Sequence, residues 1–159
     1  MSRLSGQVIV IAVGKLRTPH WQQAQDTYRK RLQRYTRFEL IEVKDAVGRG
    51  LSDAAAMQKE GELLLKAAAS AARLIALTPT GTQMSSTQLA AFLQQQVQVF
   101  GRLAFLIGGP LGFSDEVLVQ CHEQLSLSPL TFPHELARVI LLEQLYRACT
   151  ILNHEPYHK

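Results

Sequence analysis

Apolar residues in this chain fall into two rhythms that alternate along its length. The first is a short unbroken run. QVIVIAV at Gln7–Val13 is β-branched and mostly apolar, the pattern of a strand covered on both faces. The second is a helical recurrence. Trp21, Ala24, Tyr28, Leu32 and Tyr35 fall three and four apart, so residues 20–35 predict an amphipathic helix that Thr18-Pro19 opens. The pair then repeats. FELIEV (38–43) predicts a second strand, and residues 53–69 a helix capped by Ser52 with Met57, Leu64, Leu65 and Ala68 inward. Gly61 inside that helix marks a place of close packing. The segment between them, residues 44–50, reads as an exposed mobile loop.

RLIAL (73–77) predicts a third strand that ends in a Thr78-Pro79-Thr80-Gly81 turn. Ser85 and Gln88 form a capping box for a helix burying Leu89, Phe92, Leu93 and Val97. LAFLI (103–107) predicts a fourth strand, and Ser114 with Asp115 and Glu116 opens a short helix through Val117, Leu118 and Cys121. Residues 124–127 predict a short fifth strand. Pro133 then leads into a helix over His134–Leu152, whose broad apolar set suggests contacts on two sides. Five alternations predict one α/β domain over residues 1–159, with a mainly parallel sheet and helices on both faces.

The densest signal is LAFLIGGPLGFS, residues 103–114. It reads strand, glycine loop, helix. Ligands of open α/β sheets collect beyond the carboxyl ends of strands, and Gly108, Gly109 and Gly112 would let backbone N–H groups approach one there. The same glycines also serve a plain sharp turn, and the spacing does not choose. It does exclude two readings: neither the dinucleotide fingerprint G-x-G-x-x-G nor a P-loop is present. The loops after Leu77, Ile107 and Leu127 would converge on one pocket if their strands are neighbours.

Composition narrows this only partly. A chain of 159 residues, 47% hydrophobic and 19% charged, suits one globular domain. Lys plus Arg is 17 against 13 acids, a mild excess that permits an RNA or phosphate partner without demanding one. Arg29, Lys30, Arg31, Arg34 and Arg37 cluster at the end of the first helix. They are either a solvated face or a contact to RNA backbone. Cys121 and Cys149, with no CxxC, fit reduced thiols in the cytoplasm; no signal-peptide core or membrane-spanning run is evident. His154 and His158 have metal-ligand spacing, but Pro156 lies between them and no further ligands accompany them, so no metal is expected. His134, Arg138 and the terminal Tyr157-His158-Lys159 are the remaining polar candidates, each with an ordinary packing or terminal reading beside it.

LIGGPLGFS, LSLSPLTFPHELARVILLEQLYRA and the final PYHK together resemble the RlmH-type family of SPOUT-class methyltransferases. The AVGK after the first strand and the order of elements fit as well. The resemblance spans nearly the whole chain and is densest from Leu103 onward. It implies a trefoil knot in the C-terminal half, which sequence rules would not suggest. It also implies a homodimer and S-adenosyl-L-methionine as methyl donor. The acceptor would be N3 of a pseudouridine in 23S rRNA of assembled ribosomes, with no membrane or metal involved. Carried onto this chain, the donor pocket would comprise Leu77, Gly108, Leu127, Ser128, Pro129, Leu130, Thr131 and Phe132, with Gly109 and Gly112 shaping it. Tyr157, His158 and Lys159 of one protomer, with His134 and Arg138, would serve the chemistry. Family members often carry a polar residue where this chain has Leu111, so a carboxylate there is not required. Two alternatives remain: a non-catalytic RNA- or ribosome-binding dimer of the same fold, and a nucleotide-dependent oxidoreductase, which the missing fingerprint disfavours.

Overall fold

Five strands and five helices alternate along residues 4–159, the part of the chain described by the computed structural model. They are β1 (Gln7–Val13), α1 (Pro19–Leu32), β2 (Arg37–Val43), α2 (Asp53–Ala67), β3 (Arg73–Gln83), α3 (Ser86–Phe100), β4 (Arg102–Ile107), α4 (Asp115–Gln120), β5 (Glu123–Ser126) and α5 (His134–Leu152). The sheet order is β2-β1-β4-β3-β5, and every pairing is parallel. The chain therefore steps inward from β3 to β4 and then back past β3 to place β5 on the outer edge.

Both faces of the sheet are covered, which is why its strands read as continuous apolar runs. Val8, Val10 and Ala12 of β1 pack toward Leu32, Leu89, Leu93 and Leu142, so α1, α3 and α5 share one face. Ile9, Ile11 and Val13 pack toward Leu64, Ala68 and Val117, so α2 and α4 take the other. Gly61 is where α2 and α4 meet: a Cβ there would lie 2.6 Å from a Val117 methyl. Ser52 caps α2 by accepting from Ala55 N–H, and the Ser85–Gln88 box is formed in both directions.

Three expectations need correction. Residues 78–81 do not end the third strand; β3 continues to Gln83. Leu77 and Thr82 both align with Leu125 of β5, so the four residues between them bulge out of the ladder. Pro79 has no N–H to contribute to pairing, which accounts for the excursion, and Ser126 Oγ closes it by donating to Pro79 O at 3.0 Å. Gly81 is required there, since a Cβ would fall 2.6 Å from the β5 backbone at Gln124. The loop over residues 44–50 is not simply exposed: Ala46 is buried, and its N–H donates to Glu60 at 2.8 Å. Ser114 precedes α4 in an extended conformation but makes no side-chain cap.

The final residues fold back on α5. Glu155 N–H donates to Thr150 O, His154 adopts a positive φ of 55°, and Tyr35 hydroxyl donates to the Glu155 carboxylate at 2.6 Å.

Candidate active site at the strand carboxyl ends

Because β3 lies between β4 and β5, the loops that leave these strands meet. They enclose a cavity of about 390 Å³. Leu77, Thr78 and Pro79 form one side; Ile107 to Phe113, through the glycine loop, form the second; Leu127, Ser128, Leu130, Thr131 and Phe132 form the third. His134 and Ala137 of α5 close the base. The volume lies in the range of small-molecule sites, and apolar walls with backbone edges are their usual make-up. Of the residues expected in a donor pocket, all line this cavity except Pro129, which belongs to the same loop.

The glycine loop is narrow for a physical reason. A Cβ on Gly108 would stand 3.1 Å from the Gly112 backbone. Gly112 has φ +77°, and its N–H donates to Gly109 O at 3.0 Å. A Cβ on Gly109 would stand 2.8 Å from Glu60 Oε2 and 3.3 Å from Val13 Cγ1. The loop thus rests on a buried carboxylate. Glu60 is 2% exposed; its Oε1 accepts from Ala46 and Val47 N–H, and its Oε2 has no hydrogen-bond partner among the described residues. On the β5 side, Ser128 Oγ accepts from Leu130 N–H at 3.0 Å, a local turn that holds the loop open toward the cavity.

Arg138 lies one turn into α5, and its side chain does not enter the cavity. It is 1% exposed and forks between two groups of acceptors. Nη1 donates to Glu42 Oε2 at 2.6 Å and Gln25 Oε1 at 3.3 Å; Nη2 donates to Gly14 O at 2.8 Å and Val13 O at 3.2 Å. Burial pulls the guanidinium below its ordinary value, while the Glu42 carboxylate opposes the shift. Arg138 therefore positions the end of β1 against α5. Beside it, Glu135 accepts from Arg17 N–H at 2.6 Å and Thr18 hydroxyl at 2.7 Å, and these bonds hold its carboxyl below the usual range.

Tyr157 and His158 are at the other end of α5. Tyr157 hydroxyl donates to Glu143 at 2.9 Å, its ring meets Tyr146 edge-on at 4.7 Å, and Arg147 stacks over it and approaches His158 Nδ1 at 3.3 Å. Burial first, then the Glu143 bond, pushes the Tyr157 phenol upward, so it stays a neutral donor at neutral pH. Glu143 is nine residues along α5 from His134, roughly 14 Å of helix rise. The tail thus lies well away from the cavity of its own chain. Lys159 is exposed.

The sequence model of the family described as "Predicted SPOUT methyltransferase" matches residues 7–158. The chain belongs to this family. It is 44% identical over 155 residues to "Ribosomal RNA large subunit methyltransferase H" of Bifidobacterium animalis subsp. lactis, covering 94% of this chain and 98% of that one. It is 43% identical over 155 residues to the protein of the same name from Legionella pneumophila, covering 96% and 99%. In fold it is similar to a "probable methyltransferase" from Bordetella pertussis Tohama I, with a TM-score of 0.56 at 15% identity over 92% of this chain and 95% of that one. SPOUT methyltransferases use S-adenosyl-L-methionine, and the cavity has the volume of a small-molecule site. Among the described residues no group of three or more His, Cys, Asp or Glu could hold a metal ion, and no helix is long and apolar enough to cross a membrane.

Sequence reasoning missed three residues that build this region: Gln25, Glu42 and Glu60. Each has a polar side chain engaged from a helix or strand near the site. For Glu60 a signal exists in retrospect: it falls four residues after Ala56 and four before Leu64, both buried, so it occupies the inward stripe of α2.

Proposed function

We propose that this protein transfers the methyl group of S-adenosyl-L-methionine to N3 of a pseudouridine in 23S rRNA, acting in the cytoplasm as a homodimer on assembled ribosomes. The observation that carries the reading is the cavity formed by the three loops of β3, β4 and β5. Its residues suit the donor. The apolar walls from Leu77, Ile107, Leu127 and Phe132 form a slot for adenine, and the crowding at Gly108 lets backbone polar groups reach its edges. The relatives named as large-subunit rRNA methyltransferases support the substrate class.

When bound, the donor supplies a sulfonium-linked methyl group that is already reactive. The chain's own residues then have to orient the acceptor and accept its N3 proton. Transfer to N3 would leave S-adenosylhomocysteine as the other product. The apolar cavity would keep water from the reacting atoms, and His134 lies among its lining residues. Because Tyr157 is bound to Glu143, roughly 14 Å of helix rise along α5 from His134 in its own chain, a partner's tail completes each site in the dimer. There Tyr157 offers a ring face and a neutral hydroxyl, and Lys159 a cation that steadies the developing N3 anion.

The deciding experiment is mass spectrometry of rRNA after purified protein, isotopically labelled donor and ribosomes lacking the mark are incubated together. Methyl label on a pseudouridine of 23S rRNA is the expected result. Donor binding by calorimetry without transfer would overturn the substrate, and neither binding nor transfer would leave an RNA-binding dimer of the same fold.

A further inference from the structure

The donor cavity has a larger neighbour. A groove of about 970 Å³ runs between the ends of β1 and β2 and the start of α5. Val13, Gly14, Lys15, Leu16 and Arg17 form one bank, and Val43, Lys44, Asp45, Val47 and Arg49 the other. It shares two residues with the donor cavity, Pro110 of the glycine loop and His134 of α5. The two spaces therefore meet along a single ridge, and they differ sharply in chemistry. The donor side is walled by Leu, Ile and Phe; the groove is walled by charged residues.

Those charges do not cancel at the surface. Each acid has a partner: Glu42 is bound to Arg138, Glu135 to the Arg17 backbone and Thr18, and Asp45 to Arg49 at 3.0 Å and Arg17 at 3.9 Å. Lys15 and Lys44 are exposed on opposite banks and form no salt bridge among the described residues. The open face of the groove is thus cationic. It is also rigidly floored, since Arg138 holds the Val13 and Gly14 carbonyls and Glu60 holds the Ala46 and Val47 amides.

We propose that this groove seats the RNA strand that carries the target nucleoside, with Lys15 and Lys44 contacting phosphates on its two sides and the base passing over the Pro110–His134 ridge to the methyl donor. This rests on the functional reading above and adds the acceptor's path to it. Clustered cations on a groove are the electrostatic footprint of a nucleic-acid backbone. A base that undergoes chemistry must leave its stack and enter a pocket, which a groove abutting the donor cavity permits. The partner's tail is a poorer occupant, because Lys159 would face Lys15 and Lys44. The cationic end of α1 is the competing RNA surface. Arg37 pairs in register with Gln7, which pairs on its other side with Arg102, at the opposite ends of the strands and roughly 20 Å of strand rise from Val43.

Two variants test the groove: Lys15→Ala/Lys44→Ala and Lys15→Glu/Lys44→Glu. Neither side chain makes a contact that the fold depends on. Binding to ribosomes lacking the mark is followed between about 50 and 200 mM salt. The alanine pair is expected to reduce the slope of log K against log salt by roughly 1.4–1.8, the loss of two phosphate contacts. The glutamate pair is expected to raise KM for ribosomes at least tenfold while donor affinity by calorimetry and kcat stay within about threefold, a split that an interaction used uniformly in ground and transition state produces. An unchanged slope with KM within twofold of the parent overturns the groove. So does a larger effect from Lys30→Glu/Arg37→Glu, which would place the RNA at the far end of α1. Failure of the parent protein itself to methylate ribosomes would count against the functional reading instead.

Discussion

Replacing Arg138 by methionine keeps the length and much of the volume of the side chain and removes its charge and both donor nitrogens. In the native protein that fork satisfies one carboxylate, one side-chain amide and two backbone carbonyls from a site 1% exposed. Breaking a buried ion pair from one side costs about 3–5 kcal/mol, because the remaining charge stays buried. The Glu42 side chain is 27% exposed and can recover some hydration, which moves its share toward the lower end. The Val13 and Gly14 carbonyls lose their donor as well, at about 1 kcal/mol or more each where water does not replace it. A net loss near 4 kcal/mol is the expectation, or roughly 8–16 °C in Tm for a chain of this size. Arg138→Lys retains the charge and loses the fork. One ammonium reaches Glu42 or the Gly14 carbonyl but cannot span both groups, so about half the loss should remain.

Thermal and urea unfolding of the two variants, of Glu42→Gln alone, and of Glu42→Gln with Arg138→Met form the assay. In the double variant no buried charge is left, so its loss should fall short of the sum of the single losses by at least 1 kcal/mol. Below the lowered Tm, donor affinity should remain within a few-fold of the parent, because Arg138 does not line the donor cavity. A Tm for Arg138→Met within about 2 °C of the parent, together with collapsed turnover, would refute the argument. Arg138 would then be acting on substrate and not on the frame.

The other perturbations probe the loops and the ends of α5. Gly109→Ala puts a methyl 2.8 Å from Oε2 of Glu60, whose carboxylate is held through Oε1 by the Ala46 N–H, so the glycine loop must shift into the cavity. Donor Kd should rise at least tenfold by calorimetry, about 1.4 kcal/mol, and Glu60→Ala in the same chain should restore part of it; an unchanged Kd in the single variant would sink the account. The Glu135 carboxyl titrates below its ordinary 4.5 because the folded state bonds its ionised form. The stabilisation is complete above that value and is lost as the pH falls through the lowered folded one, so Glu135→Gln should destabilise at neutral pH and converge with the parent in acid melts. Equal losses at both pH values would contradict it. Deleting Tyr157 to Lys159 removes the hydrogen bonds to Glu143 and Arg147, the ring contact with Tyr146 and the Arg147 stack, about 1–2 kcal/mol together, so Tm should fall by about 2–8 °C. Donor affinity should hold while turnover on ribosomes drops roughly a hundredfold or more; parallel loss of Tm and turnover would make the tail structural.

The fold was legible because its signals are local. Val8 to Val13 and Leu103 to Ile107 are buried on both faces and therefore read as unbroken apolar runs. The box at Ser85 and Gln88 sits within four residues of chain. The cavity proposed for the donor was half legible: the loops after Leu77, Ile107 and Leu127 could each be found, but their meeting depended on β3 lying between β4 and β5, and strand order is not written in any one segment. The excursion at residues 78–81 was misread because Thr-Pro-Thr-Gly has turn composition. The strand resumes only because Thr82 finds Leu125 again, a contact more than forty residues away in sequence.

Glu60 and Arg138 were hard to interpret for a shared reason. Each occupies a helix position that faces inward, where composition expects an apolar residue, and each is stable there only through acceptors or donors on other elements. Glu60 serves Ala46 and Val47; Arg138 serves the ends of β1 and β2. A buried charge on an apolar stripe therefore predicts partners without saying which ones. Here both sets of partners lie at the carboxyl ends of the strands, and they brace the banks of the groove while Glu60 also underlies Gly109. Among the described residues the two buried charged side chains are Glu60 and Arg138, and both hold irregular backbone that apolar packing would not keep in place. On the functional reading proposed above, donor and acceptor are aligned along that stretch, so Glu60 and Arg138 would act on the geometry of the reaction through the loops they hold.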